Sequence, residues 1–195
     1  FVRITGAQNM VQMYDLGITV TASSVGPTPT VSDEGDILIG GDGDDVVFGN
    51  TGNDTISGDA GNDIFFGGDG NDSISGGLGN DFLDGQAGDD TLRGGGGRDT
   101  VIGGEGNDTY EWNATSDGDD NVSSTSGDDR MTVTTGGASD IVAVGKDGSK
   151  MKVTSGANEL IINPTIRLVT IDTGTGDDTV TIGNISGITA TVLTI

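Results

Sequence analysis

Eight aspartates stand nine residues apart: Asp45, Asp54, Asp63, Asp72, Asp81, Asp90, Asp99 and Asp108. Two residues before each lies a glycine, from Gly43 to Gly106, and five before each lies another, from Gly40 to Gly103. Glycine lets the backbone enter positive φ and turn tightly without a Cβ clash. A tight turn aims several carbonyl oxygens inward, and the aspartate adds a charged oxygen. A hard cation such as Ca²⁺ takes roughly 6–8 oxygens at about 2.3–2.6 Å. The chemistry within reach of these residues is therefore cation ligation by side-chain and main-chain oxygen.

Other chemistries fit less well. The adjacent acids Asp44-Asp45, Asp89-Asp90, Asp128-Asp129 and Asp177-Asp178 resemble catalytic carboxylate pairs. In the repeats, however, acids recur at one phase of a fixed period, which reads as cation loops and turn formers. The chain has no histidine, the commonest general base and zinc ligand. It also has no cysteine and hence no disulfide framework. HExxH, GxSxG, Walker and EF-hand patterns are absent, and no enzyme activity is expected. A formal charge of −23 disfavours nucleic acid, whose phosphates it would repel. No apolar run approaches a membrane span. Sequons at Asn53, Asn71 and Asn107 lie inside the loops and read as incidental.

Elements of one kind must position these aspartates. From Gly40 to Glu111 run eight contiguous nine-residue units, among them GGDGDDVVF, GNTGNDTIS, GDAGNDIFF and GGEGNDTYE. Position 8 is always apolar: Val47, Ile56, Phe65, Ile74, Leu83, Leu92, Val101 and Tyr110. Positions 7 to 9 are rich in strand formers around that inward residue. Turn and strand therefore alternate, giving a coil of two turns and two strands per eighteen residues. Asp36 and Leu38 keep the register in a degenerate unit upstream. Residues 31–111 carry nineteen acidic and two basic residues. Their self-repulsion and the many glycines predict a block that is disordered without the cation and folds on binding it.

Three regions follow. Residues 1–30 form an N-terminal strand cap or coil and linker: apolar alternation through Val2, Ile4, Val11, Met13, Leu16, Ile18 and Val20, then SSVGPTPT. Residues 31–112 are the repeat block. Residues 113–195 are a degenerate β-solenoid segment in which Gly118-Asp119-Asp120-Asn121-Val122 and Gly127-Asp128-Asp129-Arg130-Met131 keep the phases. Within it, Ile141 to Val153 reads as a hairpin with positive φ at Gly148. Leu160 to Ile162, Ile166 to Ile171 and Ile185 to Ile195 read as strands, and Gly174 to Val180 revives the motif. The whole chain reads as all-β. Its start at Phe1 and the lack of a visible secretory signal fit a mature product or an excised piece of a longer protein.

Residues 31–111 resemble the RTX (haemolysin-type calcium-binding) repeat, and 115–195 more loosely resemble the degenerate coils flanking such blocks in bacterial surface and secreted proteins. The resemblance implies a right-handed parallel β-roll, or β-helix solenoid, with Ca²⁺ between turns stacked one coil apart. One turn would give the carbonyls of positions 2 and 4 and its Asp; the turn two repeats later would give those of positions 1 and 3 and its Asp. The lower pairs are then Gly41 and Gly43, Asn50 and Gly52, Asp59 and Gly61, Gly68 and Gly70, Gly77 and Gly79, and Gln86 and Gly88. The upper pairs are Gly58 and Ala60, Gly67 and Asp69, Gly76 and Leu78, Gly85 and Ala87, Gly94 and Gly96, and Gly103 and Glu105. Asp36 with Gly49, Thr51 and Asp54 would make a further site, so about six to eight ions are expected.

Two departures stand out. Arg98 occupies position 5, which predicts a weaker Asp81–Asp99 site unless Arg98 reaches outward to an acid such as Glu105. Trp112 breaks the register and reads either as a cap on the roll's end or as a partly exposed loop residue. Two functional classes remain. One is a calcium-stabilised structural solenoid of an extracellular adhesin, surface layer or matrix fibre, with ends that could stack into filaments. The other is an accessory or secretion module of a larger type I–secreted toxin or enzyme. Both place the chain outside the cell or on its surface.

Overall fold

A computed structural model describes residues 35–136, 141–147, 150–155, 158–162, 166, 168–175, 177–182 and 192–194. The strands and linker expected in residues 1–30 lie outside it, as does the hairpin turn at Gly148. No helix occurs among the described residues.

Among the described residues seventeen strands make two sheets. In the repeats they are β1 (Ile37–Asp42), β2 (Val46–Thr51), β3 (Thr55–Ala60), β4 (Ile64–Asp69), β5 (Ser73–Leu78), β6 (Phe82–Ala87), β7 (Thr91–Gly96), β8 (Thr100–Glu105) and β9 (Thr109–Asn113). Beyond them come β10 (Asp120–Ser123), β11 (Arg130–Thr134), β12 (Ile141–Asp147), β13 (Lys150–Ser155), β14 (Asn158–Ile162), β15 (Leu168–Asp172), β16 (Thr179–Ile182) and β17 (Val192–Thr194). Odd strands from β1 to β11, then β15 and β17, form one sheet; β2 to β10 in even steps, then β14, β13, β12 and β16, form the other.

Pairing in the repeats is parallel with an offset of eighteen residues, as in Ile37↔Thr55 and Val46↔Ile64. The expected coil of two turns and two strands is what forms: a parallel β-solenoid. Strands are longer than positions 7 to 9 predict, because they run on through positions 1 to 3 of the next repeat. The glycines there carry the ladder rather than the turn.

Position 8 explains the core. Leu38, Val47, Ile56, Phe65, Ile74, Leu83, Leu92, Val101 and Tyr110 are all buried between the sheets, one row on each, and Val122, Met131, Ile162 and Val169 continue the two rows. Trp112 is neither an end cap nor a loop residue. It lies in β9, is buried, and pairs across to Val133 of β11, so the sheet passes beyond it. Its Nε1–H donates to the Gly118 carbonyl at 3.2 Å. Side chains of this size need both an apolar body site and a partner for the N–H, and Trp112 has both.

The outward faces differ. On the even-numbered sheet Phe48 stacks on Phe66 with centroids 5.0 Å apart, and Phe66 meets Phe82 at 5.9 Å. On the odd-numbered sheet the outward row is Thr55, Ser73, Thr91 and Thr109. The tail departs from the nonapeptide rhythm in two ways. The turn between Asp108 and Asp120 is three residues longer, and an antiparallel hairpin, β12–β13, followed by β14, enters the even-numbered sheet.

Candidate metal centre

The repeat turns stack along two edges of the solenoid. Asp45, Asp63, Asp81 and Asp99 lie on one edge; Asp36, Asp54, Asp72, Asp90 and Asp108 lie on the other. Each turn is joined to the next by the same bond. The N–H of Asp45 donates to Asp63 Oδ1, and that of Asp63 to Asp81 Oδ1, at 2.8 and 2.9 Å. On the second edge Asp54 N–H donates to Asp72 Oδ1 at 2.8 Å, Asp72 to Asp90 at 2.8 Å and Asp90 to Asp108 at 3.0 Å. Asp36 joins this edge through Asp54 Oδ1 at 2.6 Å.

Oδ1 is thereby used, and Oδ2 is not. In Asp63, Asp72, Asp81, Asp90, Asp99 and Asp108 it is buried with no hydrogen-bond donor among the described residues. A carboxylate oxygen held this way costs several kcal/mol unless a cation compensates it. Burial pushes the carboxyls of Asp63, Asp72, Asp81 and Asp108 up to about 6, and that of Asp90 to about 7. The charge of neighbouring aspartates adds to this, while the donated N–H opposes it. Asp99 is raised by burial too. These are groups waiting for a positive charge, a proton or a metal ion.

The glycines explain the space. From Gly49 onward position 1 is buried, and a Cβ on Gly67 would land on Asp72 Oδ2 at one side and the Gly85 carbonyl oxygen at the other. Gly49, Gly58, Gly76 and Gly94 have the same aspartate oxygen beside them, each from its own repeat. Upper position-1 carbonyls therefore point down at the aspartate of the turn below. Position-2 and position-4 carbonyls point up: that of Asn50 lies under Gly68, and that of Gly52 under Gly70. Asn50, Asp59 and Gln86 adopt left-handed φ of 75°, 69° and 75° at position 2, where the other repeats have glycine.

Position-3 carbonyls have a structural task of their own. Ala60 O accepts the Gly43 N–H at 2.7 Å, Asp69 O that of Gly52 at 2.8 Å and Leu78 O that of Gly61 at 2.9 Å. An ion would take the second lone pair of such a carbonyl. No three acidic side chains converge on one point among the described residues. A cation held here draws most of its oxygens from the main chain, which suits the many side chains tolerated at position 3.

Three features were not foreseen. Position 5 carries a second ladder, in which Asn62 N–H donates to Asp44 Oδ1 at 2.7 Å, Asn71 N–H to Asn53 Oδ1 at 2.8 Å and Asn80 N–H to Asn62 Oδ1 at 2.9 Å. Its near-exclusive use of Asn and Asp was the available signal. Arg98 does turn outward, but its partner is Asp119 at 3.1 Å rather than Glu105. The aspartate ladders also outrun the repeats: Asp99 N–H donates to Asp120 Oδ1 and Asp108 N–H to Asp129 Oδ1, both at 2.9 Å.

Comparison with known proteins bears on the same residues. The family model described as RTX calcium-binding nonapeptide repeat (4 copies) matches residues 32–65, 39–74, 48–83 and 75–110. No curated protein matches the chain.

Proposed function

We propose, from a chain whose residues 32–110 are RTX calcium-binding nonapeptide repeats, that it is a structural element of the bacterial extracellular space, rigid only when loaded with Ca²⁺. The repeat block is a calcium-binding β-solenoid. The observation that carries the reading is the row of buried, unpartnered Oδ2 atoms along both edges. Each faces main-chain carbonyls of the adjoining coil, and oxygen-only ligation by a flexible turn suits Ca²⁺ better than Mg²⁺, which demands octahedral geometry and keeps its waters. The ligands are those expected from the repeat: Asp pairs one coil apart, position-2 and position-4 carbonyls from below, and position-1 and position-3 carbonyls from above. Six regular sites and the Asp36–Asp54 site make about seven ions.

The uniform stacking of the repeats supports an adhesin, surface-layer or matrix-fibre role. Wherever the edge strand of a solenoid is left open it presents backbone groups to another strand, which is how copies would add end to end. The alternative, a secretion module of a larger type I–secreted toxin or enzyme, draws on the same calcium-driven folding. Light scattering in millimolar Ca²⁺ and then in excess chelator separates them. Growth into long assemblies only with Ca²⁺ supports the structural role; a compact monomer that expands in chelator supports the module.

A further inference from the structure

The geometry points to one more divalent-cation site, at Asp108 and Asp129, outside the nine-residue pattern and with a tyrosine hydroxyl in its wall. It rests on the reading that the repeats bind Ca²⁺. The two residues are 21 apart rather than 18, because the turn between Asp108 and Asp120 is three residues longer, while Asp120 and Asp129 keep the spacing of nine. Asp108 and Asp129 are each 1% exposed, and Oδ2 of both is buried without a donor. Gly127 has φ of +113° like the position-4 glycines, and a Cβ on it would fall on the Gly106 carbonyl oxygen, which therefore points into this coil.

Tyr110 sets the site apart. Every other repeat has an aliphatic side chain or Phe at position 8. A Cβ on Gly103 would meet both Asp108 Oδ2 and Tyr110 Oη, so the phenol oxygen lies beside the carboxylate. Its proton is committed to the Ser123 carbonyl at 2.9 Å. The phenol oxygen, which also takes hydrogen bonds from Ser124 and the Gly103 main chain, turns its oxygen rather than its proton to the carboxylate, an arrangement that favours a cation beside it. The Gly104 carbonyl, by contrast, accepts the Thr125 hydroxyl at 2.6 Å and the Thr125 and Ser126 amides at 3.2 Å, so both its lone pairs are taken and the Tyr110 oxygen would stand in for it.

The opposite edge shows what the protein does when it supplies the charge itself. Around Asp99 and Asp120, Arg93 pairs with Asp117 at 3.0 Å and Arg98 with Asp119 at 3.1 Å. Neither ion pair reaches Asp108 or Asp129.

Counting bound Ca²⁺ per chain by equilibrium dialysis, for the full chain and for Asp129→Asn, tests the site. Asparagine keeps the Oδ1 acceptor for the Asp108 N–H and removes the charge. The expected result is one ion fewer per chain, with the other affinities within about twofold. An unchanged count in a chain that binds Ca²⁺ overturns the inference; a chain that binds none overturns the calcium reading instead. Should Asp129→Asn fail to fold, Tyr110→Phe decides by terbium titration. Weakening of one site by about tenfold, the typical worth of a ligand to a charged group, supports the site, and unchanged affinities refute it.

Discussion

The Asp72 amide donates to Oδ1 of Asp90 at 2.8 Å across one full coil, and this leaves Oδ2 of Asp90 buried and unanswered. One carboxylate thus clamps two coils with one oxygen and presents the other to an ion. The two tasks are separable. Asp90→Asn retains the clamp and should lower Ca²⁺ affinity at its sites by about tenfold or more, the loss of a charged partner being worth ~1.5–3 kcal/mol. Asp90→Ala should cost about 1 kcal/mol more in the calcium-loaded state, read by urea midpoints. Equal effects from the two variants would show that the clamp contributes nothing.

Removal of the ion should unfold the repeats. The neighbouring like charges and the glycine-rich chain oppose folding, and each sheet contributes a position-8 row only one residue wide. In chelator the β-sheet signal of the far-ultraviolet spectrum should be lost, and emission from Trp112, the chain's single tryptophan, should shift to the red. Restoring millimolar Ca²⁺ should restore both in a cooperative titration. Full β structure in excess chelator would contradict this.

Glycines at different positions should fail for different reasons. Gly67→Ala places a methyl on Asp72 Oδ2 and the Gly85 carbonyl, so it should abolish ion binding at that turn. Gly41→Ala meets open space and only the strain of φ +101°, about 1–2 kcal/mol. Isothermal titration of the two variants should show a lost site in the first and intact stoichiometry in the second.

Stability should depend on pH with opposite signs in the two states. An unfolded aspartate titrates at ~3.9, whereas burial holds Asp63, Asp72 and Asp81 at about 6 and Asp90 at about 7. Below the lower value both forms are protonated and nothing is lost. Between the two values the unfolded chain ionises while the folded one keeps its protons, so the ion-free fold weakens as pH rises towards 7. Calcium must displace those protons, so its affinity should fall as pH drops from 7.5 to 5.5. Titrations of calcium-free protein at both pH values check this, and a midpoint that does not move would refute it.

Position 6 and position 8 were legible because a period of nine puts every aspartate and every core residue in one phase. The reach of the strands was not, because Gly58 and Gly67 look like turn residues although they lie in β3 and β4. The position-5 ladder was hidden in plain composition: Asn62 and Asn80 read as small polar residues until their side chains were seen to cap the amide one coil up. Asp120 and Asp129 kept the Gly-Asp-apolar phase, but the three added residues concealed that they stack on Asp99 and Asp108. The pairing of β14 with β10 is set by a hairpin inserted between them, and no local pattern encodes it.

The unequal outward faces limit how such a gene can change length. Each coil uses two repeats, so an in-frame gain or loss of eighteen residues moves whole coils and leaves Phe66 over Phe48 and Thr109 over Thr91. A gain or loss of nine keeps every aspartate in phase and the core filled, yet sends the downstream repeats to the opposite sheet. Unequal recombination among near-identical units produces both. The aromatic row would be interrupted by threonine and serine in the second case alone, so selection on that surface would admit duplications by pairs.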